Sequence, residues 1–161
     1  MAKRYVLEQE QRIPRPLAEV FPFFADAGNL ERITPPELRF RILTPRPIEM
    51  RPGAIIEYRL SLHGVPFKWR TVIEEWVPGV RFVDRQERGP YKLWRHTHTF
   101  REEGGETVMT DRVEYELPFG VLGRVAHALA VRAQLAGIFA HRRSFVEEQW
   151  GKGKERGARA A

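Results

Sequence analysis

Residues 107–136 read TVMTDRVEYELPFGVLGRVAHALAVRAQLA, and the spacing of the apolar residues changes inside this stretch. Met109, Asp111, Val113, Tyr115 and Leu117 share one parity, while Arg112, Glu114 and Glu116 take the other. That two-residue repeat is a strand with one covered face. Beyond Pro118 the repeat becomes three and four. Leu122, Val125, Leu129, Ala133 and Ala136 form a stripe, and Val121, Ala128, Leu135, Phe139 and Val146 widen it, with no proline from Phe119 to Trp150. The spacing predicts one long amphipathic helix over 119–150. Its main stripe is rich in alanine, a face that can pack closely or leave room for a ligand.

Working back from this junction, strand-like runs cover Leu38–Leu43, Ala54–Leu62, Val65–Trp76, Arg81–Glu87 and Tyr91–Arg101. The breaks between them are turn chemistry: Pro52-Gly53, His63-Gly64, Pro78-Gly79, Gly89-Pro90 and Gly104-Gly105. Short breaks between consecutive strands imply antiparallel hairpins. Residues 4–13 alternate as well and add a first strand, ended by Pro14 and Pro16. Leu17, Val20, Phe21 and Phe24 then fall at helical spacing, and Asp26 is placed to cap a second short helix through Ile33. The order is strand, two short helices, about six strands, long helix: an α+β domain over 1–150, with a basic tail at 151–161 expected to be disordered. A meander this long must curl, and only the last helix is large enough to cover its inner face. The gap left between them is the expected ligand cavity. The two short helices would sit at its mouth, where 26–33 could act as a lid.

Composition narrows the function classes. In 161 residues, 42% hydrophobic and 30% charged, no apolar run approaches the roughly 20 residues of a spanning helix. The first residues lack the apolar stretch of a signal peptide, so the expected location is cytoplasmic. There is no cysteine, which excludes disulfides, thiolate nucleophiles and cysteine metal sites. A formal charge of +6 raises a nucleic-acid reading. Much of the excess lies in the tail, however, and the rest is scattered among acids, so no specific nucleic-acid partner is expected.

The residues that could carry chemistry lie on three strands. Trp94, His96, His98 and Phe100 share one face. Phe82, Asp84 and Gln86 share a face on the strand before, and Met109 and Asp111 on the strand after. An inner polar cluster of Asp84, Gln86, His96, His98 and Asp111 is expected, with Tyr58, Trp69 and Tyr115 as aromatic walls. Leu129 and Arg132 on the helix are further ligand-binding candidates; Arg132, inside the apolar arc, could reach a ligand carboxylate or pair with Asp111, or else snorkel out or bridge to an acid at the edge. Arg142 and Arg143 are expected to clamp the helix to neighbouring carboxylates. Three readings of the cluster stay open: a metal site from His-x-His plus a carboxylate, a general acid–base pair of His96 or His98 with Asp111, or mutual satisfaction that orients a ligand's polar end. The last leads, and neither a cofactor nor a metal is required.

The stretches Phe82-Val83-Asp84-Arg85-Gln86, Trp94-Arg95-His96-Thr97-His98-Thr99-Phe100, Asp111-Arg112-Val113-Glu114-Tyr115 and Leu117-Pro118-Phe119-Gly120 resemble those of the START-like, helix-grip superfamily, in its bacterial polyketide cyclase/dehydrase-like branch. Similar stretches occur in a domain fused to some nucleotide-sugar epimerase-like proteins. The resemblance covers about Tyr5 to Trp150 and implies a cavity for a lipid, quinone, isoprenoid or polyketide-like ligand. It implies no particular catalytic residue, since the fold serves carriers, receptors and cyclases alike. The resulting expectation is a monomeric or weakly dimeric binder of a small hydrophobic ligand, with transient membrane contact left open. A cyclase, dehydratase or hydrolase is the alternative.

Overall fold

The structure, a computed structural model, describes residues 2–154. Seven strands form one antiparallel sheet: β1 Arg4–Ile13, β2 Arg41–Ile42, β3 Ile55–Leu62, β4 Val65–Val77, β5 Arg81–Arg88, β6 Leu93–Glu103 and β7 Glu106–Glu116. Their order is β1-β7-β6-β5-β4-β3-β2, a run of hairpins closed at one edge by the first strand. His63 and Gly64 between β3 and β4, and Gly104 and Gly105 between β6 and β7, all take positive φ. Paired left-handed residues make the tight turns whose twist matches that of the flanking strands. Two register shifts between β4 and β5, at Arg70/Thr71 and Ile73/Glu75, bend the sheet.

Between β1 and β2 lie α1 (Leu17–Ala25), a 3-10 turn at Ala27–Asn29 and α2 (Leu30–Ile33). The Asp26 carboxylate accepts from Gly28 N–H at 2.8 Å, which caps this pair. The strand expected at 38–43 shrinks to Arg41–Ile42. Pro36–Leu38 form a 3-10 turn, and Arg39 is left-handed (φ 49°), so the chain cannot extend before Phe40.

The C-terminal helix is continuous but not uniform. It comprises α3 (Gly120–Ala126), a π turn (His127–Val131) and α4 (Arg132–Trp150). A π turn adds one residue and rotates the helix face by roughly 100°. Before it, Gly123 is buried and His127, Ala130 and Val131 are partly covered; after it, Leu135, Phe139, Arg142 and Val146 are buried. The stripe Leu122, Val125, Leu129, Ala133 and Ala136, expected to pack inward, is therefore exposed, with Leu129 at 79%. The wider set divides in the same way: Leu135, Phe139 and Val146 go in, Val121 and Ala128 stay out.

Two glutamines on β1 fix α4 to the sheet. Gln11 Nε2 donates to the Arg143 carbonyl at 3.0 Å, and Gln9 Nε2 to the Phe139 carbonyl at 3.4 Å. At the far end Ile13, Val20, Phe24, Phe82, Phe100, Met109 and Val146 form one apolar cluster. Fully burying each such side chain contributes about 1.5–3 kcal/mol. Beyond Trp150 the expected disorder does not begin at once. Gly153 N–H donates to the Arg12 carbonyl at 3.2 Å, and Lys154 N–H to Glu106. The remainder of the expected tail, 155–161, lies outside the described residues.

Several arginines of the outer sheet face are matched to acids. Arg70 meets Glu57 and Glu87, Arg95 meets Glu74 and Glu114, and Arg112 meets Glu8. Arg41, Arg59 and Lys68 instead stand exposed beside one another across β2, β3 and β4. Among the described residues no helix is long and apolar enough to cross a membrane.

Candidate functional site

Sheet and helix do not close on each other. A cavity of ≈ 180 Å³ lies between them. One water occupies about 10–15 Å³ on the same scale, so the space suits a ligand on the order of 15 heavy atoms. Ile56, Leu60, Ile73, Leu135, Ile138 and Phe139 line it, together with Ala27, Leu30 and Ile33 from the short helices. The segment 26–33 is thus part of the wall.

The polar side of the wall is set by strand register. Asp84 on β5 stands opposite His96 on β6, and His98 stands opposite Asp111 on β7. All four project from the concave face because they occupy alternate positions on neighbouring strands. His98 Nε2 lies 2.8 Å from Asp84 Oδ2, and His98 Nδ1 lies 3.2 Å from Asp111 Oδ1. His96 Nε2 is 2.9 Å from Asp111 Oδ1. The two rings lie 3.7 Å apart, and His98 also stacks on Phe82 at 4.1 Å. From α4, Arg142 places a guanidinium nitrogen 3.4 Å from Asp111 Oδ1 and 3.5 Å from His98 Nδ1. Asp111 is 1% exposed, His98 4%, His96 6% and Arg142 7%.

Burial alone would push the Asp111 carboxyl up. Arg142 and the two imidazoles outweigh it and hold the group well below the usual carboxylate range. Asp84 is likewise lowered, chiefly by its bond to His98 against the pull of burial. His98 loses solvation too, yet its bonds to Asp111 and Asp84 raise its pKa. His96 is lowered, first by burial and then by the charge on His98. The two shifts run in opposite directions, so of the stacked rings His98 takes up an added proton more readily than His96.

Ligand atoms of Asp84, His96 and His98 all lie within 4.8 Å of one another, a spacing that could hold a metal ion. A cation there would displace the His98–Asp84 bond and sit beside the fixed charge of Arg142, while His96 Nδ1 carries no hydrogen bond and Nε2 could keep its bond to Asp111. The competing bond and the nearby guanidinium count against a resident metal.

Of the sequence-predicted residues, Tyr58, Trp69, Asp84, Trp94, His96 and His98 line the cavity. Asp111 sits behind the histidines as their buried anchor. Gln86 turns away and clamps the β5–β6 connection, with Nε2 2.7 Å from the Tyr91 carbonyl. Phe100 and Met109 belong to the apolar cluster at the far end. Tyr115 bonds His127 at 2.8 Å instead of facing the cavity. Leu129 and Arg132 stand on the exposed side of the helix. Arg142, expected with Arg143 to clamp the helix to neighbouring carboxylates, pairs with Asp111 and in addition lines the cavity. Its place is visible in the sequence once Leu135, Phe139 and Val146 are taken as the buried line, since 142 falls on it. Arg143 ties the helix to β1 through the Glu10 backbone carbonyl, and its carboxylate partner, Glu147, is on its own helix.

Two donors on the cavity wall are buried without an acceptor: Arg142 Nε and Trp69 Nε1. Nearby, the Tyr58 and Thr71 hydroxyls are 3.3 Å apart, and burial raises the phenol pKa so that Tyr58 stays neutral.

Comparison with known proteins fits this geometry. The model of a family described as polyketide cyclase / dehydrase and lipid transport matches residues 13–140. No curated protein matches the chain. Among solved structures, the protein TTHA0849 of Thermus thermophilus superposes with a TM-score of 0.69 at 16% identity, covering 90% of this chain and 99% of that one. The major latex-like protein 151 of Panax ginseng gives 0.66 at 12% identity, covering 91% and 97%. A nucleoside-diphosphate sugar epimerase from Corynebacterium glutamicum gives 0.61 at 25% identity, covering 88% of this chain but only 28% of that protein.

Proposed function

The chain belongs to the polyketide cyclase / dehydrase and lipid transport family, and from that premise we propose that it is a binding protein for a small, largely apolar molecule with a neutral oxygen-bearing end. The observation that carries this reading is an apolar cavity with one polar wall of two imidazoles, a carboxylate and a guanidinium. The body of the ligand would be held by burial against Ile56, Leu60, Leu135, Ile138 and Phe139, at about 25 cal/mol per Å² of apolar surface removed from water. The cluster fixes the ligand's direction.

The wall also limits the polar end. Arg142 and the imidazoles there already face Asp111 and Asp84, so a free carboxylate or ammonium would lose its hydration without an unpaired counter-charge. Arg142 Nε and Trp69 Nε1 are donors lacking acceptors, and an unmet buried donor costs about 1–3 kcal/mol. A carbonyl oxygen satisfies such donors without adding charge. Quinones, isoprenoid ketones and polyketide-like carbonyl compounds of on the order of 15 heavy atoms suit the cavity better than a phospholipid. The protein would act in the cytoplasm as a monomer or weak dimer.

The test is native mass spectrometry of protein released gently from its host. The reading expects a retained neutral mass of a few hundred daltons at one per chain, absent from a Leu135→Trp variant that fills the cavity. Bare protein mass in both, with no uptake from a panel of quinones and isoprenoid ketones, contradicts it. A second reading draws on the same geometry: His98 lies between Asp84 and Asp111 on the cavity wall, and their bonds raise its pKa against the pull of burial, the direction a general acid needs. It expects His98→Gln to abolish turnover of a bound carbonyl compound and leave affinity nearly intact. The binding reading expects weaker affinity and no turnover in either protein.

A further inference from the structure

The exposed apolar residues of the C-terminal helix are not scattered. Phe119 (82% exposed), Val121 (62%), Leu122 (74%), Val125 (50%) and Leu129 (79%) fall on α3, its N-cap and the π turn. Single exposed apolar residues are ordinary, but five within eleven positions form a patch that soluble surfaces rarely carry. The π turn produces it by rotating Gly123 and His127 inward, where His127 stacks on Tyr5 at 3.6 Å. That leaves the larger side chains outside.

The charge around the patch is one-sided. Residues 117–146 contain no Asp or Glu. Arg124 and Arg132 stand exposed within the helix. The nearest acid before it, Glu116, is already paired with Arg4 and Lys92. A second copy of the chain would bring the same arginines to the interface with no carboxylate of this segment to receive them, and symmetric contacts repeat any such mismatch. An anionic lipid surface supplies what the patch lacks: phosphates for the arginines and an apolar interior for Phe119, Leu122 and Leu129.

We infer that the helical segment 119–133 docks the protein on anionic phospholipid bilayers, with Phe119, Leu122, Val125 and Leu129 inserted at the interface and Arg124 and Arg132 on the headgroups. The same helix carries Leu135, Ile138 and Phe139 into the cavity wall, so docking brings the ligand site to the lipid surface.

The experiment is flotation of the full chain with vesicles of phosphatidylcholine alone or mixed with phosphatidylglycerol, at low and high salt. The expected result is binding that requires phosphatidylglycerol and weakens with salt. Charge reversal in R124E/R132E should weaken it by about fivefold or more per arginine, and L122E/L129E by about tenfold or more. Both pairs are exposed, so an unchanged melting temperature will separate lost docking from lost folding. Three results overturn the inference: no flotation of the wild type, flotation undiminished in L122E/L129E, or a wild-type dimer by light scattering that L122E/L129E splits. The cavity reading is tested independently, because ligand retention by native mass spectrometry does not depend on these surface residues.

Discussion

Replacing Arg142 with methionine removes the cation that faces Asp111 while keeping most of the side chain's apolar stem. Arg142 also lies 5.3 Å from the Phe24 ring centre, and methionine preserves contact there. Asp111 stays 1% exposed, still with Oδ2 unpaired. Leaving one partner of a buried pair without its counter-charge costs about 3–5 kcal/mol. For a domain of this size that is a fall in Tm of about 6–20 °C. The pH dependence has a definite sign. Against the pull of burial, Arg142 is one of the groups that hold the Asp111 and Asp84 carboxyls below the usual carboxylate range, so without it both move up. The stability that a depressed carboxyl contributes is present above its unfolded pKa of about 3.9 and lost as pH falls through the folded one. The deficit of Arg142→Met against wild type is therefore full at neutral pH and shrinks as pH falls below about 4. The double variant Arg142→Met/Asp111→Leu, which removes both charges, recovers most of the loss. Urea titrations followed by circular dichroism at three pH values measure all of this. A loss below about 1 kcal/mol with no pH trend and no recovery in the double variant would refute the buried-cluster argument.

Other expectations follow from the same cluster and its surroundings. Histidine side-chain NMR titration should place His98 above the ordinary imidazole value and His96 below it; two unshifted curves would mean the rings meet water. Tyr115→Phe deletes the bond to His127 and should lower stability by about 0.5–1.5 kcal/mol in denaturant titration, with ligand retention unchanged. Micromolar zinc or ferrous iron should neither bind by calorimetry nor raise Tm, because an ion would have to displace the His98–Asp84 bond beside the Arg142 guanidinium; stoichiometric uptake lost in His98→Gln would overturn that.

The strands are legible because each repeats its pattern over many residues. Trp94, His96, His98 and Phe100 have to share a face, and the register then brings Asp84 and Asp111 beside the imidazoles. The helix is legible in length but not in orientation. Two apolar stripes lie about a quarter turn apart, and only the π turn decides which one packs. Nothing local in His127–Val131 signals the extra residue, so the pattern points to the wrong stripe and draws Leu129 and Arg132 into the candidate site. Arg142 is masked by its neighbour Arg143, because chemistry alone does not separate two adjacent arginines of which one is buried and one exposed. The missing start of β2 reflects a left-handed Arg39, a conformation set by the surrounding turn and not by residue type.

Binding of a saturable neutral apolar reporter such as N-phenyl-1-naphthylamine, measured side by side in wild type and in Leu135→Trp, addresses the cavity most directly. The account predicts one-to-one binding by the wild type, displaceable by a small quinone, and its loss in a variant that still melts cooperatively. Equal binding by both proteins, or none displaced by any quinone or isoprenoid ketone, would contradict an interior site between sheet and helix.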